Sequence, residues 1–188
     1  MGMYTTRAVS IEEIKDIFDV LLNGASLEGN KRIESNYQVY LSLYTMVNTG
    51  LRISDVLELT PNRIKNSKLT IVEKKTGKIQ NRDIAPIVYN KLMEYCIDNS
   101  ISRDSKIFSI GERAIQKTLK KVVEHLQLEN VSTHSFRKAY ATIKYEESGS
   151  DIYVVQQLLN HQNIATTVRY LGNNTKKVNE LSSSSVIE

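Results

Sequence analysis

One change in hydrophobic periodicity limits the folds open to this chain of 188 residues. Apolar residues recur at helical spacing along most of it, from SIEEIKDIFDVLLNG at residue 10 to IYVVQQLLNH at residue 152. Between them, KLTIVEK and KIQNRDIAP have the alternation and composition of two strands, and they flank the turn residues KTG at 75–77. The pattern predicts a mainly helical α+β domain, a helical bundle with one small antiparallel β-sheet.

The ends of the first helices are marked by capping and helix-breaking residues. Ser10 and Glu13 form a capping-box pattern, and Gly24 is predicted to end the helix that they start. A second, strongly apolar helix is predicted through SNYQVYLSLYTMVNTG, in a central position in the fold. A short third helix is predicted in RISDVLELT, where Pro61 ends it.

The composition favours a protein that acts on a polyanion. The net charge is +4 and the isoelectric point is near 9.0, which favours nucleic acid over a membrane surface. No apolar run approaches the roughly 18 residues that a transmembrane helix needs, and the N-terminus lacks a secretory signal. The single cysteine, Cys96, is expected to be a small buried residue in a reducing compartment, so we expect a cytoplasmic protein. Since the sequence has no Gly-rich phosphate loop and no zinc-type Cys/His spacing, we expect no metal and no cofactor.

Four segments contain charged or polar side chains that a hydrophobic core does not select. In two of them the paired residues are three apart, which places both on one face of a helix. The four sets are Arg52 and Asp55 in TGLRISDVLEL, Lys75 at the hairpin tip, His134 and Arg137 in THSFRKAYAT with Ser132 or Thr133 as N-cap, and His161 with Tyr170 in LLNHQNIATTVRY.

Together these groups have the chemistry needed to cleave a phosphodiester. Two arginines can clamp two non-bridging phosphate oxygens and favour the extra negative charge of a pentacoordinate phosphorus. A tyrosine hydroxyl, with a pKa of about 10, needs a base or nearby cations before it is a good nucleophile. A histidine can be that base, and a lysine can protonate the departing sugar oxygen. The residue types by themselves therefore indicate a phosphate clamp with a nucleophile, a chemistry that requires no metal.

Each of these residues also has an ordinary structural interpretation. Tyr170 is one of ten tyrosines, and most tyrosines pack in a core. Arg52 can be a surface charge at a helix start, with Asp55 as its ion-pair partner. Lys75 has two other lysines close by in a hairpin that solvent can reach, and His161 can serve only as a hydrogen-bond donor to phosphate. The histidine nine residues before Tyr170 and the intact TGLR segment favour the functional interpretation.

The same segments resemble, in order and spacing, the catalytic-domain boxes of the tyrosine recombinases, or phage-type integrases. The resemblance extends from about residue 10 to 175, and its most specific part is H-x-x-R, then L-L-x-H, then a tyrosine nine residues after that histidine. Asp55 stands where the family commonly has Glu, and the resemblance implies that it orients its neighbours. The other implied roles are Arg52 and Arg137 as the phosphate clamp, Tyr170 as nucleophile, Lys75 as general acid, and His134 and His161 in handling protons and hydrogen bonds.

The resemblance also implies a reaction, partners and a domain organisation. A site-specific recombinase or integrase cuts one DNA strand, leaving a 3′-phosphotyrosine and a free 5′-hydroxyl. The implied partners are double-stranded DNA, a homotetramer assembled on it, and an accessory directionality factor. Residues 1–188 are expected to form a single catalytic domain whose tail, 174–188, docks on a neighbouring protomer. An N-terminal core-binding domain is expected to be absent from these residues, since only about 10 residues precede the first predicted helix. The chain is then expected to be either an excised catalytic fragment or one of the smaller family members that lack that domain.

Two other functions are compatible with parts of this pattern. A type IB topoisomerase uses similar chemistry but relaxes DNA as a monomer, and the HSFR and LLNHQNIATT segments argue against it. A DNA-binding regulator that has lost catalysis does not need a nucleophile, and the full set of polar residues argues against that. A relaxation assay without paired sites discriminates the first from a recombinase, and trapping on a suicide substrate discriminates the second.

Overall fold

The computed structural model describes residues 6–29, 31–72, 77 and 79–171. Within these ranges the chain forms α-helices, short β-strands and one 3-10 turn, which confirms the predicted mainly helical α+β architecture. The helices are α1 (Ile11–Asn23), α2 (Tyr37–Thr49), α3 (Ile53–Val56), α4 (Pro86–Asp98), α5 (Glu112–His125), α6 (Thr133–Glu147), α7 (Ile152–Leu159) and α8 (Ile164–Leu171). The strands are β1 (Ala25–Ser26), β2 (Arg32–Ile33), β3 (Ile64–Lys65), β4 (Lys68–Val72) and β5 (Ile79–Asp83).

The chain divides into two compact units at Tyr140, within α6. The N-terminal unit, Met1–Tyr140, contains α1 to α5, the β-strands and the first half of α6. The C-terminal unit, Ala141–Glu188, contains the rest of α6 and the helices α7 and α8, which pack against each other. In the described ranges, no helix has both the length and the apolar character required to cross a membrane.

The β-structure is more extensive than the single hairpin predicted from the sequence. Strands β4 and β5 pair antiparallel in the predicted hairpin, with Val72 opposite Ile79 near its tip. Strand β3 joins β4 through Asn66 and Ser67, whose φ angles of 50° and 59° suit a tight two-residue turn. Strands β1 and β2 form a separate sheet inside the polar stretch after α1. The single predicted sheet is therefore corrected to two, because that polar stretch carries too little apolar alternation to indicate strands.

Helix α2 lies at the centre of the N-terminal unit, as its apolar sequence predicts. It packs against α1, α3, α4 and α5, and Leu41, Leu43 and Met46 are at most 1% exposed. Burial of a large apolar side chain contributes roughly 1.5–3 kcal/mol, so this helix is a major source of stability. The buried hydroxyls of Thr45 and Thr49 donate to the carbonyl oxygens four residues earlier, at 2.7 and 2.6 Å. Polar groups in the middle of the core are thereby satisfied.

The predicted start of α1 is confirmed, and the predicted end of α3 is wrong. The capping box is confirmed: the Glu13 N–H donates to Ser10 Oγ at 3.1 Å, and the Ser10 N–H donates to Glu13 Oε2 at 2.8 Å. Arg7 donates to the same carboxylate at 2.6 and 2.7 Å, and these hydrogen bonds lower the pKa of Glu13. Helix α3, however, already ends at Val56, and Pro61 begins the 3-10 turn instead of ending a helix.

The single cysteine is part of the core. Cys96 lies in α4, is 6% exposed and packs within the main cluster of buried apolar residues. Burial raises the pKa of its thiol to about 11, because the charged thiolate is disfavoured away from water. The packing role expected for Cys96 is confirmed.

Candidate active site

The site in the N-terminal unit is built around the turn at Gly50. This residue ends α2 in the left-handed conformation, with φ 67°, and its N–H donates to the Met46 carbonyl oxygen at 2.8 Å. A Cβ atom at this position would lie 2.4 Å from Cδ1 of the Tyr140 ring, which is too close for any side chain. Both the backbone angle and the ring therefore require glycine. The turn places Arg52 immediately before α3.

Two arginines from distant parts of the sequence hold this turn. Arg137, on α6 and only 2% exposed, donates from Nη1 to the carbonyl oxygen of Gly50. Arg82, on β5, donates from Nη1 to the carbonyl oxygen of Thr49 at 2.5 Å. These carbonyl groups are at the C-terminus of α2, where the helix dipole favours cations. The contact places the Arg137 guanidinium against the turn that leads into Arg52.

Arg52 and Asp55 lie on the same side of α3, as their spacing predicts. The Arg52 Nη1 is 3.8 Å from Asp55 Oδ2, an ion pair in which the carboxylate is 4% exposed and the arginine side chain 30% exposed. A buried carboxylate beside a partly exposed guanidinium restricts where that guanidinium can point. The orienting role that the resemblance implied for Asp55 stays a prediction.

His134 lies in the first turn of α6, close to both arginines. Partial burial of its imidazole lowers the pKa of His134, and the positive charges of Arg137, Lys138 and Arg52 lower it further, while Glu112 opposes them. The imidazole is therefore neutral near pH 7 and can accept a proton. Because both predicted clamp arginines act on the same ring, the fold brings Arg52, His134 and Arg137 together.

In the C-terminal unit, His161 is held by its neighbours in the sequence. Asn160 ends α7 in the left-handed conformation, with φ 49°, and turns the chain toward α8. The His161 N–H donates to the Gln156 carbonyl oxygen at 3.0 Å, and the Gln156 side-chain amide donates back to the His161 carbonyl oxygen at 3.0 Å. Asn163 then accepts a hydrogen bond from the Ala165 N–H at 2.8 Å, which stabilises the start of α8.

The nine-residue spacing of His161 and Tyr170 brings their rings into contact. The ring centroids are 5.0 Å apart and the planes are inclined at 74°, an edge-to-face arrangement. On its other side the imidazole meets Thr167, whose Oγ1 is 3.0 Å from His161 Nδ1. His161 is 9% exposed and Thr167 is fully buried, whereas Tyr170 is half-buried. Tyr170 is therefore not a core residue.

The structure thus places the predicted residues in two groups, one in each unit. Arg52, Asp55, His134 and Arg137 lie together in the N-terminal unit, and His161 and Tyr170 lie together in the C-terminal unit. Lys75 lies outside the described residues, as does the tail at 174–188. In the described ranges, no three His, Cys, Asp or Glu side chains are grouped so that they could hold a metal ion.

Two contributors were missed by the sequence analysis. Arg82 lies between Asn81 and Asp83 in a strand, and this polar surrounding indicates a solvated side chain and gives no hint of its bond to the Thr49 carbonyl oxygen. Thr167 belongs to the quoted LLNHQNIATTVRY segment, and its helical spacing of three from Tyr170 was the available signal.

The chain is similar to known integrases and recombinases along most of its length. The profile of the phage integrase family matches residues 11–177. A probable integrase/recombinase of Acholeplasma phage L2 is 28% identical over 149 residues, 75% of this chain and 50% of that protein. The probable integrase/recombinase YoeC of Bacillus subtilis (strain 168) is 27% identical over 171 residues, 87% of each. The tyrosine recombinase XerC of Caldanaerobacter subterraneus is 29% identical over 147 residues, 70% of this chain and 40% of that protein. The chain thus spans half or less of the phage L2 and XerC proteins.

Solved structures support the same fold. The catalytic domain of bacteriophage HP1 integrase superposes with a TM-score of 0.66 and 19% identity, covering 96% of this chain and 99% of that one. The XerH site-specific recombinase, in a post-cleavage complex with a palindromic difH substrate, superposes with a TM-score of 0.72 and 19% identity, covering 94% and 52%. At these identities the similarity establishes the architecture.

Proposed function

Because the chain belongs to the phage integrase family of tyrosine recombinases, we propose that it cuts and rejoins DNA strands as the catalytic domain of a site-specific recombinase. The observation that carries this proposal is the bond from Arg137 to the Gly50 carbonyl oxygen. It joins the second predicted clamp residue to the turn that carries Arg52, and the charges of both arginines reach His134. Two guanidinium groups can stabilise the negative charge of a phosphoryl transition state, and a neutral imidazole can accept a proton.

The first step proposed is attack of the Tyr170 hydroxyl oxygen on the phosphorus of the scissile phosphate. The bond from Tyr170 Oη to phosphorus forms while the bond from phosphorus to the 5′ oxygen breaks. Arg52 and Arg137 stabilise the charge on the non-bridging oxygens. The tyrosine proton passes to neutral His134. Lys75 protonates the departing 5′ oxygen, a role that the resemblance to tyrosine recombinases implies.

The second step reverses the first with a different strand. A 5′-hydroxyl attacks the phosphorus of the 3′-phosphotyrosine and gives its proton to Lys75, the phosphodiester reforms as the bond from phosphorus to Tyr170 Oη breaks, and His134 returns the proton to Tyr170. The covalent intermediate conserves the energy of the phosphodiester, so the cycle needs no nucleotide hydrolysis. The paired arginines supply the positive charge that a metal ion provides in other phosphoryl transferases.

The partners proposed are those of the recombinase family. A net charge of +4 favours double-stranded DNA, and the related XerH structure is a complex with its DNA substrate. Strand exchange requires paired sites, so a homotetramer on DNA is proposed, with residues 174–188 docking on a neighbouring protomer. An accessory directionality factor and a cytoplasmic setting complete the proposal.

Trapping the covalent intermediate tests the nucleophile. The substrate is a pool of duplexes with random sequence around a nick, placed so that the cleaved short strand diffuses away. We expect the wild-type chain to form an adduct that survives denaturation, and Tyr170→Phe to form none while its melting temperature is unchanged. Tyr153→Phe is the matched control, because Tyr153 lies on α7 and is 65% exposed. An adduct with Tyr170→Phe would contradict the assignment.

Removing a clamp arginine tests the rest of the proposal. Arg137→Ala should slow adduct formation about 10²- to 10³-fold, the effect of deleting one preorganised donor to a transition-state oxyanion. Relaxation of supercoiled DNA that carries no paired sites would instead favour a type IB topoisomerase. DNA binding by the wild type without any adduct would favour a catalytically silent regulator.

A further inference from the structure

We infer that Thr167 is a positioning residue that fixes the tautomer and the ring orientation of His161. The inference about the imidazole stands on the geometry of the C-terminal unit alone. Its consequence for DNA cleavage rests on the proposed function.

The Thr167 hydroxyl has one proton to donate. Thr167 is fully buried, so water cannot accept that proton, and buried hydroxyl donors are nearly always paired. Across the described residues, the one hydrogen-bond partner of this hydroxyl is Nδ1 of His161, at 3.0 Å. The hydroxyl therefore donates to Nδ1, and Nδ1 accepts with its lone pair.

Two buried threonines of α2 behave differently. Thr45 and Thr49 also lie in a helix interior, and each donates to a backbone carbonyl oxygen four residues earlier, at 2.7 and 2.6 Å. That is the usual bond of a buried threonine in a helix. Thr167 instead directs its proton at the side chain of His161, six residues earlier, which indicates that its hydroxyl serves the imidazole.

A neutral imidazole carries one proton on its two nitrogens. If Nδ1 accepts from Thr167, that proton is on Nε2, and His161 presents Nε2–H as a donor. The ring orientation is fixed on both sides, by Thr167 at Nδ1 and by the Tyr170 ring at 5.0 Å. Thr167 and Tyr170 are three apart on α8, so one helix face sets both contacts.

The neighbouring residue provides a matched control. Thr166 has the same side chain on the same helix, but it is exposed, whereas Thr167 is fully buried. Thr167→Val and Thr166→Val replace a hydroxyl with a methyl group at almost unchanged volume. Thr167→Ser keeps the hydroxyl and tests whether a donor at this position is enough to hold the wild-type tautomer of His161.

The tautomer is measured by two-bond ¹⁵N–¹H correlation spectra of the 188-residue chain at about pH 8, with the His161 signals assigned from their loss in His161→Gln. We expect a protonated Nε2 and an unprotonated Nδ1 in the wild type, Thr166→Val and Thr167→Ser. Thr167→Val should give a mixture of both tautomers. A wild-type protein with its proton on Nδ1, or an unchanged single tautomer in Thr167→Val, would overturn the inference.

Adduct formation on the nicked pool measures the consequence for cleavage. Thr167→Val should lower the rate about 10- to 100-fold, the loss that follows when a group supporting a reacting residue is removed or displaced. Thr166→Val should match the wild type, and Thr167→Val should cause no further loss in a His161→Ala background. A further loss in that background would mean that Thr167 does not act through His161. If no protein forms an adduct, the proposed function fails, and the spectra still decide the tautomer.

Discussion

The turn at Gly50 is held by residues far away in the sequence, whereas His161 is held by residues almost next to it. Arg137 is 87 positions from Gly50, and Arg82 is 33 positions from the carbonyl group that it binds. His161 bonds with Gln156 and Thr167, five and six positions away. The N-terminal group therefore exists only when the tertiary fold is complete, while the C-terminal group depends on two short helices and the turn between them.

This difference predicts how mutations should act. A change at the Gly50 turn removes contacts that also hold the fold, so stability and adduct formation should fall together. A change to the ring contacts of His161 should reduce adduct formation with a smaller effect on stability. The four predictions below test that contrast, in order of decreasing effect.

Gly50→Ala should have the largest effect. The new Cβ would lie 2.4 Å from the Tyr140 ring, and φ is 67°, so strain and overpacking together should cost roughly 2–4 kcal/mol. A loss of that size corresponds to a fall of roughly 10 °C in melting temperature. Adduct formation should fall as well, because Arg52 follows the turn directly.

Gly149→Ala is the control for backbone strain alone. Its φ is 69°, but nothing lies within 4 Å of the added Cβ, so the cost should be about 1 kcal/mol. Equal losses of melting temperature in the two variants would show that the Tyr140 contact adds nothing at Gly50.

Arg82→Met should have the next largest effect. The substitution keeps much of the apolar stem but removes the donor to the Thr49 carbonyl oxygen, a charged hydrogen bond of about 1.5–3 kcal/mol that partial exposure reduces. Chemical denaturation should show a loss of about 1 kcal/mol, together with slower adduct formation. Lys65→Met, at the exposed position of β3, is the control and should leave both quantities near their wild-type values. Loss of stability with full activity in Arg82→Met would separate the turn from catalysis.

Asp151→Ala tests the local construction of the C-terminal unit. The Asp151 carboxylate accepts from the N–H groups of Tyr153 and Val154 at the start of α7. Removing such an N-cap costs about 1 kcal/mol or less when the cap is exposed. Adduct formation should change little, since the contacts of His161 with Gln156 and Thr167 remain. A large fall in activity would show that the His161 group depends on more than its own segment.

The pH dependence of stability at His134 should be the smallest effect. Its pKa in the folded protein lies below the reference value of 6.5, so the unfolded chain binds more protons in the interval between the two values. This contribution to stability is complete above pH 6.5 and is lost as the pH falls through that interval. The melting temperature of the wild type relative to His134→Gln should therefore be higher at about pH 7.5 than at pH 5.5. A constant difference would contradict the lowered pKa.

The parts of the fold that could be predicted are those whose signals are local. The capping box at Ser10, the α2 helix and the hairpin of β4 and β5 each have a pattern within a few residues, and all three were found. The sheet of β1 and β2 was not predicted, because its four residues pair through backbone groups inside a polar segment. The early end of α3 was also missed. Pro61 sets the last position that a helix could reach, but a helix can end before its proline, as α3 does at Val56.

The candidate site divides in the same way. The spacing of His161 and Tyr170 was singled out in the sequence, and in the structure the two rings are in contact, because nine residues span only a turn and one short helix. The three-residue spacing of Arg52 and Asp55 likewise placed both residues on one face, and the ion pair named in their structural interpretation is present. No local pattern relates Arg82 or Arg137 to the carbonyl groups at the end of α2, because those bonds follow from packing between elements far apart in the chain.

The burial of Cys96 has a practical consequence for studying this protein. A thiol with a pKa of about 11 is almost entirely protonated at neutral pH. Because the thiolate is the nucleophile that attacks thiol-directed reagents, Cys96 should react slowly. With 6% of its surface exposed, Cys96 should also be hard for a maleimide to reach in the folded chain. A cysteine introduced at an exposed position such as Thr166 should therefore take up a fluorophore selectively, without prior removal of the native thiol. Labelled in this way, α8 can be followed by fluorescence as DNA binds.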